Sequence, residues 1–194
     1  MKSIVIFFFS FFAVLVHAEV KWVSVGGEYG TSENLDTKKD ATSMGVQAFI
    51  GLENNWVLEV RNRTQQTDRA GSTNYAAPMS WQEVGATKSF DVGFFDVYGR
   101  GLIGFHEFTA KRYSFHAEEL GIAGKFSGTP FGYSLGRRFI DSFSDSDANA
   151  AKNEQTRLTL NYEIDKSHRV HVRFTDQSGG TNSKMMNFGY SYRF

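Results

Sequence analysis

The sequence predicts an all-β protein, a transmembrane up-and-down barrel of about ten antiparallel strands, with about eight to twelve compatible with the pattern. Three observations predict this class. Apolar and polar residues alternate with a period of two from Val20 onward. Short and long polar connections separate the alternating segments in strict turn. Aromatic residues gather in two tiers, one at each end of the segments.

Each predicted strand places apolar residues on one face and polar residues on the other. The strands are Val20–Tyr29, Thr42–Leu52, Trp56–Gln65, Trp81–Phe90, Phe94–Phe108, Phe115–Phe126, Phe131–Ile140, Arg157–Ile164, Arg169–Thr175 and Met186–Phe194. The eighth is the most regular, because Leu158 and Leu160 alternate with Arg157 and Thr159. The seventh is the least regular, and its adjacent Arg137 and Arg138 predict a register slip or a bulge.

The connections alternate between tight turns and longer loops. The turns are Glu53–Asn55, Asp91–Gly93, Ser127–Pro130 and Asp165–Ser167. The longer connections are Gly30–Ala41, Gln66–Ser80, Thr109–Ser114, Asp141–Asn153 and Asp176–Ser183. This asymmetry is typical of barrels in an outer membrane, which have short periplasmic turns and longer extracellular loops.

A soluble sandwich or lipocalin-like barrel is the alternative, with its apolar face turned inward. The two aromatic tiers favour the membrane barrel, because aromatic side chains concentrate at both bilayer interfaces. The tier near the short turns comprises Trp22, Trp56, Phe90, Phe94, Phe126, Phe131 and Phe194. The tier near the longer loops comprises Tyr29, Trp81, Phe105, Tyr113, Phe139 and Phe174.

Composition excludes several classes of function. The 194 residues carry 21 Lys and Arg against 21 Asp and Glu, which argues against nucleic-acid binding because that requires a clustered basic excess. No cysteine is present, so disulfides, thiolate metal sites and a lipoprotein anchor are excluded. The histidines show no metal-ligand spacing, and the sequence predicts neither a metal nor a cofactor.

The N-terminus has the three parts of a secretory signal peptide. Lys2 supplies the positive charge, and the apolar run Ile4–Val16 is too short to span hydrocarbon as a helix. Small residues at Val16 and Ala18 suit signal peptidase. We therefore expect cleavage after Ala18, which leaves residues 19–194 as the barrel domain.

The last eight residues carry a resemblance to a known family. Tyr190, Tyr192 and Phe194 alternate with small or polar residues, and phenylalanine is terminal. This end resembles the C-terminal signature of small Gram-negative outer-membrane β-barrel proteins, whether OmpA-like, OmpX-like or oligogalacturonate-porin-like. The resemblance implies insertion by the barrel-assembly machinery and contact with outer-membrane lipids and lipopolysaccharide. A monomer is expected.

Alternation also assigns the charges that face the lumen. The basic residues are Arg61, Arg63, Arg100, Lys125, Arg138, Arg157, Arg169, Arg173 and Arg193. The acidic residues are Glu28, Glu59, Glu83, Asp96, Glu119 and Glu163. One interpretation is a plug of paired charges in a mainly structural barrel, because a buried charge needs a partner. The other is a narrow pore that prefers small anionic solutes or acidic oligosaccharides, lined chiefly by Arg61, Arg63, Arg157 and Arg173.

An enzyme is the third class considered, and no catalytic residue is predicted. The segment before the last strand resembles the part of lipid A deacylases that carries a His-x-Ser pair. Ser178 matches the serine, but Asp176 occupies the position of the histidine base. His171 lies several residues earlier on the same strand.

Overall fold

The computed structural model describes residues 18–67, 79–108, 111–143 and 152–194 as one closed antiparallel barrel. Its strands are β1 (Val20–Asn34), β2 (Lys39–Leu52), β3 (Trp56–Thr67), β4 (Met79–Asp91), β5 (Asp96–Phe108), β6 (Lys111–Lys125), β7 (Phe131–Ser142), β8 (Asn153–Glu163), β9 (His168–Gly179) and β10 (Ser183–Arg193). Every strand pairs with its neighbours in sequence, and β1 pairs with β10 to close the barrel. The predicted fold class and strand number are confirmed.

The two faces of each strand differ in polarity as the alternation predicts. On β8 the outward Leu158 and Leu160 are 38% and 42% exposed, whereas the inward Arg157 is 8% exposed. Because the apolar side chains face outward and the charged ones face inward, the barrel has the reverse polarity of a soluble barrel. Among the described residues no helix is long and apolar enough to cross a membrane.

The strands extend further than predicted at the end that carries the longer loops. The first hairpin stays paired as far as Asn34 and Lys39, and β6 begins at Lys111. In these extensions both faces are polar, so alternation gives no signal although the backbone ladder continues. The first hairpin closes where Asn34 Oδ1 accepts the backbone N–H groups of Asp36 and Thr37 at 3.0 and 2.9 Å.

The predicted irregularity in β7 is wrong. The pairing of β7 with both neighbours runs without a shift, so the strand contains neither a slip nor a bulge. Consecutive residues of a strand face opposite sides, and Arg138 points into the lumen while Arg137 points outward. Arg137 pairs there with Glu154 of β8, and both side chains are about half exposed.

The two aromatic tiers are correct for most members and wrong for Trp22, Trp81 and Tyr113. Trp81 lies inside the barrel, where its ring contacts those of His106 and Phe115. Tyr113 stacks on the same histidine with ring centroids 5.0 Å apart. Trp22 faces inward at the other end, beneath an arginine of β10. The tiers were predicted from how close each aromatic residue is to a strand end. Alternation, which decides whether a ring faces lipid or the lumen, puts these three rings on the inner face.

The predicted signal peptide falls almost entirely on residues 1–17, which lie outside the described residues. At the short-turn end, the backbone N–H of Phe194 donates to Val23 O at 2.9 Å. The two ends of the described chain therefore meet at the same rim of the barrel as the four short turns.

Candidate functional site

A chain of four ion-paired side chains crosses the lumen at mid-height. The Arg100 guanidinium donates to both carboxylate oxygens of Glu59 and, through Nη1, to Glu119 Oε2 at 3.1 Å. Arg157 Nη1 donates to the same Glu119 oxygen at 2.9 Å. All four side chains are at most 9% exposed. Each buried charge of this chain therefore has an opposite partner, as burial requires.

The position of the strands makes this chain a crosslink through the barrel. Glu59 lies on β3 and Arg157 on β8, and these strands are diametrically opposed in the ten-strand order. Arg100 on β5 and Glu119 on β6 bridge the distance between them. Side chains therefore meet across the whole diameter of the barrel at this level.

Further ion pairs extend the crosslink to a belt around the wall. Arg173 Nη1 donates to both oxygens of Glu28, at 3.1 and 3.0 Å. Arg138 Nη2 donates to Glu83 Oε1 at 2.7 Å, and Arg61 Nε lies 2.9 Å from Glu59 Oε2. We call this set the charge belt: Glu28, Glu59, Arg61, Glu83, Arg100, Glu119, Arg138, Arg157 and Arg173.

Tyr98 completes the coordination of the central carboxylate. Its hydroxyl donates to Glu119 Oε1 at 2.9 Å. The tyrosine ring lies over Gly121 and Gly136, where an added Cβ would come within 2.6 and 2.3 Å of tyrosine atoms. These two glycines are therefore required for space, because any side chain would displace the ring. Alternation puts Tyr98 on the same face as Arg100, but no feature of the sequence indicates this role.

An apolar cluster fills one side of the lumen between the belt and the longer loops. Leu102, Phe115, Ala117 and Ile140 are at most 6% exposed, and Trp81 packs against them. The sequence predicted a lumen lined by polar and charged residues, and this cluster was not expected. The signal was present, because Phe115 shares its face with Glu119, and Ile140 shares its face with Arg138.

A vestibule of about 370 Å³ lies on the other side of the belt, towards the short turns. Glu163 is at this mouth and bridges Lys125 and Arg169. Asp96 begins β5 at the same rim, and among the described residues it forms no ion pair. Both were predicted to line the lumen, and the structure places them outside the charge belt.

Most of the other predicted lumen residues lie at the belt or beside it, whereas Lys125, Arg169 and Arg193 lie with Glu163 at the short-turn mouth. Arg61, Arg100, Arg138, Arg157, Arg173 and Glu59 belong to it. Arg63 lies just above and stacks on Trp81, with Cζ 5.3 Å from the ring centroid. Beside these two residues is a space of about 50 Å³, which we call the upper chamber.

The C-terminal aromatic residues lie on the outer face of β10. Tyr192 and Phe194 contact edge to face, with ring centroids 4.9 Å apart. The hydroxyl of Tyr190 lies 2.6 Å from His168 Nδ1. They form part of the outer aromatic rim at the short-turn end.

The described residues do not assemble a catalytic or metal site from the deacylase-like segment. His171 points inward and its Nε2 is 3.8 Å from Glu28 Oε1. Asp176 and Ser178 are exposed on the outer face of the same strand. The histidine and the serine are thus on opposite sides of the wall. No group of three or more His, Asp or Glu side chains among these residues is arranged to hold a metal ion.

The closed barrel, the apolar outer face and the charged lumen give this chain the fold of a membrane-spanning β-barrel. No family model and no curated protein matches the sequence. An outer-membrane channel from Pseudomonas putida F1 has a similar fold, with a TM-score of 0.57 at 10% identity over 91% of this chain and 96% of that chain. The NanC porin has a TM-score of 0.55 at 10% identity, over 88% of this chain and 98% of that chain. The β domain of the Bordetella autotransporter BrkA has a TM-score of 0.56 at 8% identity, over 88% of this chain and 98% of that chain.

Proposed function

We propose that this protein is a mainly structural component of the outer membrane, with a lumen that the charge belt closes to solutes. The observation that supports it is the crosslink from Glu59 through Arg100 and Glu119 to Arg157. To open a passage, these charges would have to separate in a confined space, and breaking a buried pair costs about 3–5 kcal/mol. The apolar cluster beside Phe115 adds a second obstruction nearer the longer loops.

The same proposal includes a location and a set of partners. The apolar outer face faces lipid and lipopolysaccharide, and the short turns face the periplasm. A signal peptide cleaved after Ala18 directs export, and the rim of Tyr190, Tyr192 and Phe194 is the recognition signal for the barrel-assembly machinery. The protein works as a monomer without a cofactor, and no catalytic role is proposed, since His171 and Ser178 are on opposite faces.

A narrow anion-preferring pore is the second candidate, and one observation favours it. The lumen holds six arginines at or beside the belt, Arg63 included, against the four glutamates of the belt. A surplus of guanidinium groups attracts carboxylates and other anions. The two candidates differ in whether the belt opens under a modest driving force.

Single-channel recording in planar bilayers separates the candidates. The refolded wild-type protein is expected to give no steady current, and heat-modifiable gel mobility verifies that the sample is folded. A control variant, Arg137→Gln, alters only the outer face and should also be silent. Steady current with an anion-favouring reversal potential, blocked by acidic oligosaccharides and reduced by Arg61→Ala or Arg173→Ala, would establish the pore and overturn the closed lumen.

A further inference from the structure

The charged side chains around the upper chamber are mainly positive. The chamber holds about 50 Å³ and is bounded by side chains that include five arginines and two glutamates. A water molecule needs about 10–15 Å³ by this kind of measure. The chamber is therefore large enough for one small ion with a few waters, and too small for a sugar.

Four of the five arginines have a carboxylate partner. Arg138 and Arg173 neutralise the two glutamates that line the chamber, and Arg61 and Arg157 pair with glutamates of the belt. Among the described residues Arg63 forms no ion pair within 4.0 Å. Its guanidinium instead makes a cation–π contact with the Trp81 ring. A confined charge of this kind is costly without a counter-ion.

Three buried donors line the same chamber without a hydrogen-bond partner in the described part of the chain: Trp81 Nε1, Arg138 Nε and Arg61 Nε. Arg61 Nε already lies 2.9 Å from Glu59 Oε2, so Trp81 Nε1 and Arg138 Nε are the two that still need an acceptor. The buried Oε1 of Gln47, which also lines the chamber, has no donor among the same residues. Indole and guanidinium nitrogens only donate. A ligand that satisfies these two nitrogens must accept hydrogen bonds, and the Arg63 charge, which has no ion pair among the described residues, favours a negative ligand.

We propose that the upper chamber binds one small monovalent anion of the halide class, held by Arg63, the indole N–H of Trp81 and Nε of Arg138. The ion neutralises the Arg63 charge and supplies the missing acceptor for both donors. It is a fixed counter-ion of the folded barrel rather than a permeating solute. This ion site is independent of the proposed structural role, because the charge belt would close the lumen whether or not an ion is bound.

Thermal stability in different anions tests the site. The protein is refolded and melted in chloride or in gluconate at constant ionic strength, so that exposed charges are screened equally. Gluconate is too large for the chamber. Each tenfold rise in chloride above its Kd is expected to raise the melting midpoint by roughly 3–5 °C, because the ion binds only the folded state. A midpoint that does not depend on the anion would overturn the proposal.

A matched pair of variants locates the effect. Arg63→Gln should abolish the chloride dependence. Arg193→Gln should preserve it, because Arg193 also stacks on a tryptophan, with Cζ 4.6 Å from the Trp22 ring, but lies at the short-turn mouth. Chloride dependence that survives in Arg63→Gln would overturn the assignment.

Anomalous scattering from wild-type crystals soaked in bromide locates the ion directly. This measurement needs no variant, so it does not depend on whether a variant folds. A peak within hydrogen-bonding distance of Trp81 Nε1 supports the site, and an empty upper chamber refutes it. Neither result bears on conductance, so the ion site and the closed lumen can fail separately.

Discussion

Replacing Glu119 with glutamine tests the central crosslink most directly. The carboxylate accepts hydrogen bonds from Arg100, Arg157 and the Tyr98 hydroxyl, all between 2.9 and 3.1 Å. The substitution keeps the shape of the side chain and one acceptor oxygen, but it removes the charge. Arg100 retains Glu59, whereas Arg157 loses its only carboxylate partner among the described residues.

The expected magnitude follows from how deeply the group is buried. Glu119 is 4% exposed, and Arg157 is 8% exposed. Removing one member of a buried ion pair typically costs about 3–5 kcal/mol, because the remaining charge is left without a partner. The retained amide oxygen still accepts one hydrogen bond, so we expect the free energy of unfolding to fall by about 3 kcal/mol, the lower end of that range.

The assay is urea unfolding of the barrel in lipid vesicles, followed by tryptophan fluorescence. The matched control is Glu154→Gln, which breaks the outer pair with Arg137, where both side chains are about half exposed. An exposed pair contributes only about 0–1 kcal/mol. Unchanged m-values in both variants would show that the same surface unfolds.

A double substitution checks the reasoning that the stranded arginine is the main cost. Glu119→Gln combined with Arg157→Gln removes the unpaired guanidinium and should recover part of the lost stability. The explanation is refuted if Glu119→Gln costs less than about 1 kcal/mol, or no more than Glu154→Gln. It is also refuted if the double variant is additively worse.

Three further outcomes are expected. Leu160→Arg puts a charge on the outer apolar face and should reduce stability in vesicles by about 2–4 kcal/mol beyond Leu160→Ala. Gly136→Ala should cost about 1–3 kcal/mol by urea titration, because the new methyl group displaces the Tyr98 ring. Hydrogen bonds from Asn182 lower the pKa of Asp36, so they stabilise the contact between first and last loops above about pH 4 and lose effect as the pH falls. An NMR titration midpoint for Asp36 at or above about 3.9 would contradict this.

The number of strands and their sidedness were predictable because one physical signal repeats ten times. A barrel between lipid and a charged lumen requires alternation on every strand, and β8 shows it without exception from Leu158 to Tyr162. Strand ends were less predictable. Beyond the apolar band the ladder of β1 and β2 continues through residues that are polar on both faces, and no pattern in the side chains reports it.

The lumen charges were predictable as a set but not as pairs. Alternation placed Glu59 and Arg157 on the inner face, yet they are 98 positions apart in the sequence and join only through two other residues. Strand tilt and the register around the closed barrel set the height of each side chain, and a single sequence gives neither. Arg137 shows the same limit, because its outer partner on β8 became visible only when the register was known.

The belt and the outer face together specify one register. A slip of β10 by one residue along β1 would turn Asn187 and its inner neighbours towards lipid and the aromatic residues into the lumen. A slip by two would restore the faces but shift Arg173, through β9, relative to Glu28 and separate their ion pair. Apolar contacts alone do not oppose the second error, because lipid accepts any apolar side chain. The paired charges penalise it, so the charge belt fixes how the barrel closes.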